Sequence, residues 1–180
     1  YGATQIAEWT NQYFSSIIFV KKALGLNTDN NFCTWEWWNR YTGHDLAYCE
    51  DNDRSQIIKH IQDNILIPRR VIRLTGRFGI GKSRLVLEAF RPPKTGSQDN
   101  TLPILNHVVS FVNCEHIDSH KIINDVATLV SFGRRGVIVF DNCNHELYTG
   151  LAREIKHVDS HLSMLSIDTD LSYNDDDTIK

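Results

Sequence analysis

The densest chemistry in this chain lies in eight consecutive residues, Gly76-Arg77-Phe78-Gly79-Ile80-Gly81-Lys82-Ser83. Their spacing is G-x-x-x-x-G-K-S, the Walker A or P-loop pattern, which wraps a phosphate when it joins a strand to a helix. The glycines let backbone N–H groups converge on an anion at a helix N-terminus, where the dipole also favours negative charge. Lys82 adds a point charge for β- and γ-phosphates, and the Ser83 hydroxyl is suited to Mg²⁺. The nucleotide-binding set read from the sequence is therefore Gly76, Gly79, Ile80, Gly81, Lys82, Ser83 and Arg84.

The second constellation is Val137-Ile138-Val139-Phe140-Asp141, an apolar run ending in one carboxylate. This is the Walker B pattern, which pairs Asp141 with Ser83 around the metal. Hydrolysis also needs a group that positions water, and no second acid follows Asp141 directly. Asn142 could orient water without deprotonating it, and Glu146 starts a helix from which it could reach the site. Stabilising a helix N-terminus is an equally good role for Glu146. Asp141, Asn142 and Glu146 are thus the catalytic candidates. The chain contains no [NT]-K-x-D guanine-reading motif, which makes ATP or ADP the expected nucleotide. Ser166, Asp168 and Thr169 end a later strand, where either a γ-phosphate sensor or a plain polar turn is expected.

These residues need a particular frame. Apolar runs predict strands at 71–75, 108–112, 137–140 and 163–167, alternating with helices at 81–90, 119–132 and about 146–157. Apolar strands separated by helices mean an α/β fold, a parallel P-loop sheet covered by helices on both faces. Residues 91–106 read as a polar loop and Asp175 to Asp177 as a solvated acidic stretch. Ahead of this lies a helical lead-in over 1–65, which divides the chain into 1–65 and a partial P-loop domain over 66–180. An amphipathic helix is expected from about Gln5 to Leu24, and another carries Ile57, Ile58 and Ile61 on one face after the capping candidates Asp51 and Asp53. Between them, Trp35-Glu36-Trp37-Trp38 reads as an aromatic plug rather than a base-stacking surface, because no basic residue interleaves with it before Arg40.

The chain has 180 residues, with 19 Lys plus Arg against 22 Asp plus Glu and a net charge of -3, so no bulk basic footprint for nucleic acid or anionic lipid exists. No apolar stretch approaches the roughly 20 residues that span a bilayer. Cys33, Cys49, Cys114 and Cys143 are widely and irregularly spaced, which favours a reducing, cytoplasmic setting over a disulfide framework. Cys114 with His116 and Cys143 with His145 could meet as zinc ligands, but a Cys ending a buried strand more often serves as a small apolar residue.

With the P-loop continuing as Arg84-Leu85-Val86-Leu87-Glu88-Ala89-Phe90 and the Walker B strand as Asn142-Cys143, the chain resembles the STAND class of P-loop ATPases. More narrowly it is similar to bacterial antiviral sensors of the Avs (AVAST) type, a likeness that extends to Trp35 to Trp38 and to Ser163 to Asp168. The resemblance implies a regulatory switch within a larger polypeptide that carries an effector and a repeat sensor for a phage protein, and it implies homo-oligomerisation on activation. It implies the sheet order 1-4-3-2 for the strands counted above, with the fifth strand, the helical lid and the winged-helix segment of such a module missing. Tyr1 and an end soon after the fourth strand point to a piece of a longer protein. An AAA+-like remodelling ATPase and a non-catalytic interaction module that retains the P-loop remain open as alternatives. Arg134 and Arg135 lie at the N-terminal edge of the Walker B strand, away from the chemistry, so any arginine finger is expected from elsewhere.

Overall fold

A computed structural model describes residues 2, 4–5, 13, 15, 32–41, 48–49, 51–92, 105–169 and 178–179. In chain order the elements are β1 (Phe32–Thr34), α1 (Trp35–Tyr41), α2 (Asn52–Asn64), β2 (Val71–Thr75), α3 (Lys82–Ala89), a 3₁₀ turn (Leu105–His107), β3 (Val109–Asn113), α4 (Ser119–Ser131), β4 (Arg135–Asp141), α5 (His145–Ile155), β5 (His161–Asp168) and β6 (Thr178–Ile179). Most of the helix expected between Gln5 and Leu24, most of the 91–106 loop and the acidic stretch at 175–177 lie outside the described residues.

The sheet order is β1-β3-β4-β5-β2-β6. Its four central strands are parallel, and in the numbering of the sequence expectation they run 1-4-3-2. Two further strands extend it. Thr178–Ile179 pairs in parallel with Arg73 and Leu74 on the free edge of β2, so the fifth strand, expected to be missing, is present as a short segment. Phe32–Thr34 pairs antiparallel with β3 and closes the opposite edge. Neither was legible in the sequence, because two or three residues carry too little periodicity to register.

Alternation along the central strands sorts the core into two layers, as a sheet buried on both faces requires. Val137, Val139, Phe111, Leu165, Ile72 and Leu74 face one way and pack with Trp35, Trp38, Ile61, Leu87 and Phe90 from α1, α2 and the α3 end. Ile138, Phe140, Val112, Leu162 and Met164 face the other way and pack with Ile122, Val126, Leu147, Leu151 and Ile155 from α4 and α5. Gly150 lets α5 approach α4 closely, since a Cβ there would stand 2.5 Å from Ile123 Cδ1.

The aromatic segment packs inward. Trp38 stacks on Phe111 with centroids 5.3 Å apart, and Trp35 Nε1 donates to the Leu87 carbonyl at 3.0 Å, while Trp37 stays partly exposed. Residues 32–34 therefore join the sheet of the P-loop strands, and the helices over 35–41 and 52–64 share its core. Local caps set helix starts: the Asp51 carboxylate accepts from Arg54 N–H, Asp118 from His120 N–H, and the Asn144 side chain from Leu147 N–H. Among the described residues no helix is long and apolar enough to cross a membrane.

Candidate functional site: the P-loop cleft

β2 ends at Thr75 and feeds directly into the loop, and α3 begins at Lys82, giving the strand, turn and helix that phosphate binding requires. Gly79 and Gly81 have φ of 80° and 87°, a left-handed conformation that L side chains resist. Gly76 answers to space instead: a Cβ would meet Ile80 Cδ1 at 2.6 Å, where that side chain folds back over the loop. Lys82 Nζ donates to the carbonyls of Gly76 at 2.8 Å and Arg77 at 2.9 Å, so the lysine spans the loop it belongs to. Burial lowers the Lys82 pKa, opposed by the facing charges of Asp141 and Asp168.

Ser83 Oγ donates to Asp141 Oδ1 at 3.1 Å, which joins the loop to the end of β4 across 58 residues of sequence. Asp141 is only 8% exposed. Burial pushes its carboxyl above the ordinary 3.8, and the Glu115 charge adds to that, while the Ser83 hydroxyl, the Asn142 N–H at 3.0 Å and Lys82 pull it back. A hydroxyl and a carboxylate in contact, both hard oxygen donors, are the ligand chemistry that suits Mg²⁺. The residues present fit that ion, and Ser83 and Asp141 are the side chains that would hold it.

Around this pair opens a cleft of about 450 Å³, within the range of small-molecule sites. Gly79, Gly81, Lys82, Ser83, Arg84, Asp141 and Asn142 all line it, so most of the sequence-derived set converges. Gly76 is buried beneath the loop, and Ile80 is half-exposed above it. Arg84 borders the cleft while its guanidinium pairs with Glu88 one turn on at 2.8 Å, and Glu88 also holds Arg91. Glu146 sits exposed in the first turn of α5, outside the cleft lining. Asn142 adopts φ 56°, a conformation Asn tolerates better than most residues, and its Nδ2 donates to Asn113 Oδ1 at 2.9 Å. Arg135 opens β4 and Asp141 closes it, so the two stand about 20 Å apart at ~3.3 Å per residue.

Of the strand-end residues, Asp168 and Thr169 line the cleft, whereas Ser166 is fully buried within β5. Asp168 Oδ2 accepts from Arg73 Nη2 at 2.9 Å, and Oδ1 accepts from the Thr169 N–H at 2.6 Å. Sequence reasoning missed Arg73, although a lone arginine inside an apolar strand requires a buried partner. It also missed Asn113 and Asn144. The second was findable as an Asn standing one residue before a helix; the first carried no local signal.

The zinc alternative has no geometric basis, since no group of three or more potential metal-binding His, Cys, Asp or Glu side chains occurs among the described residues. Cys114 and Cys143 do meet, but inside the apolar layer under α4 and α5. The neighbouring Cys114 thiol, then burial, holds the Cys143 thiol well above the ordinary range. His116 is exposed, outside that layer.

No family model matches this sequence, and no curated protein matches it. Solved structures do. PCH-2 of C. elegans matches at 14% identity and a TM-score of 0.46, over 75% of this chain and 42% of that one. The Drosophila ORC bound to DNA matches at 14% identity and a TM-score of 0.47, over 81% of this chain and 45% of that one. This chain thus spans less than half the length of either.

Proposed function

We propose that this chain is a nucleotide-dependent regulatory switch module that binds ATP or ADP with Mg²⁺ inside a larger STAND-type protein of antiphage defence. The observation that carries the nucleotide reading is the contact between Ser83 Oγ and Asp141 Oδ1 at the floor of a cleft walled by the glycine loop and Lys82. Two motifs far apart in sequence meet as a phosphate cradle beside an oxygen-donor pair. The STAND and antiviral part rests on the sequence resemblance alone. In that reading effector and sensor domains respond to which nucleotide is held, a phage protein reaches the sensor, and activation assembles copies of the chain.

Switching rather than continuous cycling is supported by the place of Arg134 and Arg135 at the far end of β4 from Asp141. A trans-acting arginine is worth on the order of 10³ to 10⁵ in rate. Without one, turnover should fall far below the roughly 10 s⁻¹ of a typical enzyme. The test pairs calorimetry with a steady-state ATPase assay. Mg²⁺-nucleotide binding that Lys82→Ala abolishes, with turnover far below one per second, is the expected result. Several turnovers per second that vanish in Lys82→Ala would instead make the protein a motor of the AAA+ kind. Equal affinity in parent and variant would refute the phosphate assignment.

A further inference from the structure

We propose that Glu115 supplies the carboxylate that Asn142 lacks, and that it orients the attacking water when nucleotide is hydrolysed in this cleft; the inference rests on the nucleotide-binding reading above. β3 and β4 run parallel with Asn113 paired to Asp141, so both strands end at the same edge of the sheet. The chain leaves β3 under control: the Cys114 N–H donates to the Asp141 backbone carbonyl at 2.8 Å, which holds the residue before Glu115 against the end of β4. Asn113 Oδ1 then accepts two hydrogen bonds, from the Glu115 N–H at 3.1 Å and from Asn142 Nδ2 at 2.9 Å. One amide oxygen thereby ties together the residue standing where a carboxylate is wanted and a residue that carries one.

The Glu115 side chain is solvent-exposed at this edge, and its charge is felt by Asp141, whose carboxyl it pushes upward. Neither Glu115 nor Glu146 is among the residues that line the cleft; Glu115 is set apart by its hydrogen-bonded tie through Asn113 to Asn142, beside Asp141. In the step assigned here the water oxygen attacks the γ-phosphorus while the bond from that phosphorus to the β–γ bridging oxygen breaks. One water proton passes to the Glu115 carboxylate and on to solvent. ADP and hydrogen phosphate are the products. The Asn142 amide, fixed by Asn113, offers the same water a polar contact without removing its proton.

The bland alternative is a solvated glutamate in a turn, and the two separate cleanly. Glu115 is exposed, so Glu115→Gln leaves the fold intact and can be studied in the full chain. Calorimetry with Mg²⁺-ATP measures binding; acid-quenched single-turnover reactions, with ATP and ADP resolved by chromatography, measure chemistry. Glu115→Gln should bind Mg²⁺-ATP within about threefold of the parent, retain it as ATP, and hydrolyse it on the order of 10²-fold more slowly. Glu115→Asp should recover part of that loss. Hydrolysis by Glu115→Gln at the parent's rate overturns the assignment. So does a parent that binds Mg²⁺-ATP and converts none of it. A parent that binds no Mg²⁺-ATP overturns the nucleotide reading itself, an outcome distinct from the other two.

Discussion

The sharpest stability test is Asp168→Ala, which removes the carboxylate facing the most deeply buried charge in the described residues. Arg73 sits in the middle of β2 with its side chain fully excluded from solvent, and its Nη2 donates to Asp168 Oδ2 at 2.9 Å. Its guanidinium carbon also lies 4.9 Å from the centre of the Tyr148 ring. Breaking a buried pair by deleting one partner costs about 3–5 kcal/mol, because the remaining charge stays desolvated. The Tyr148 face continues to compensate part of that charge, a contribution of up to about 2 kcal/mol for a desolvated cation. The expected loss is therefore at the lower end, about 3 kcal/mol. At about 2–4 °C per kcal/mol for a chain of this size, Tm should fall by roughly 6–12 °C. Replacing both partners, Arg73→Met with Asp168→Leu, should recover most of the loss, since an apolar pair fills the site without a stranded charge. Urea and thermal unfolding of the parent, both single variants and the double variant complete the cycle. An Asp168→Ala variant within about 1 kcal/mol of the parent, or effects that simply add, would refute this account of the pair.

Two further outcomes follow from the site and the core. The Ser83 hydroxyl lowers the Asp141 pKa against the upward push of burial, so Ser83→Ala should move the Asp141 titration further above 3.8, as followed by carboxyl-carbon NMR. A folded-state pKa above the unfolded value means that the native state binds more protons between the two values, so stability falls as pH rises across that window, and falls further in Ser83→Ala. A titration that stays put or moves down would contradict the contact. Trp38 is 3% exposed and stacked on Phe111, so Trp38→Ala should cost about 3–5 kcal/mol in urea unfolding with an unchanged m-value. A near-neutral Trp38→Ala would mean that the aromatic segment does not pack as described.

The sequence alone determined the loop, the four central strands and their helices, because each rests on local information. G-x-x-x-x-G-K-S states its own backbone requirements, and Val137 to Phe140 can only be a strand buried on both faces. Boundaries shifted by a residue or two, with β4 beginning at Arg135 rather than at Val137, since an exposed strand end carries no apolar signal. Tertiary structure decided everything that depends on which chain ends meet. Phe32–Thr34 and Thr178–Ile179 become strands only because β3 and β2 offer open edges to pair with; backbone hydrogen bonding leaves little trace in two or three side chains. Arg73 is tolerable in a buried strand only because β5, 95 residues later, ends in Asp168 at the matching level. Asn113 and Glu115 looked like ordinary turn residues until the parallel register of β3 and β4 set them beside Asp141 and Asn142. Spacing along the chain can name a phosphate cradle, but the groups that would complete its chemistry arrive from neighbouring strands, and strand order is a property of the folded sheet.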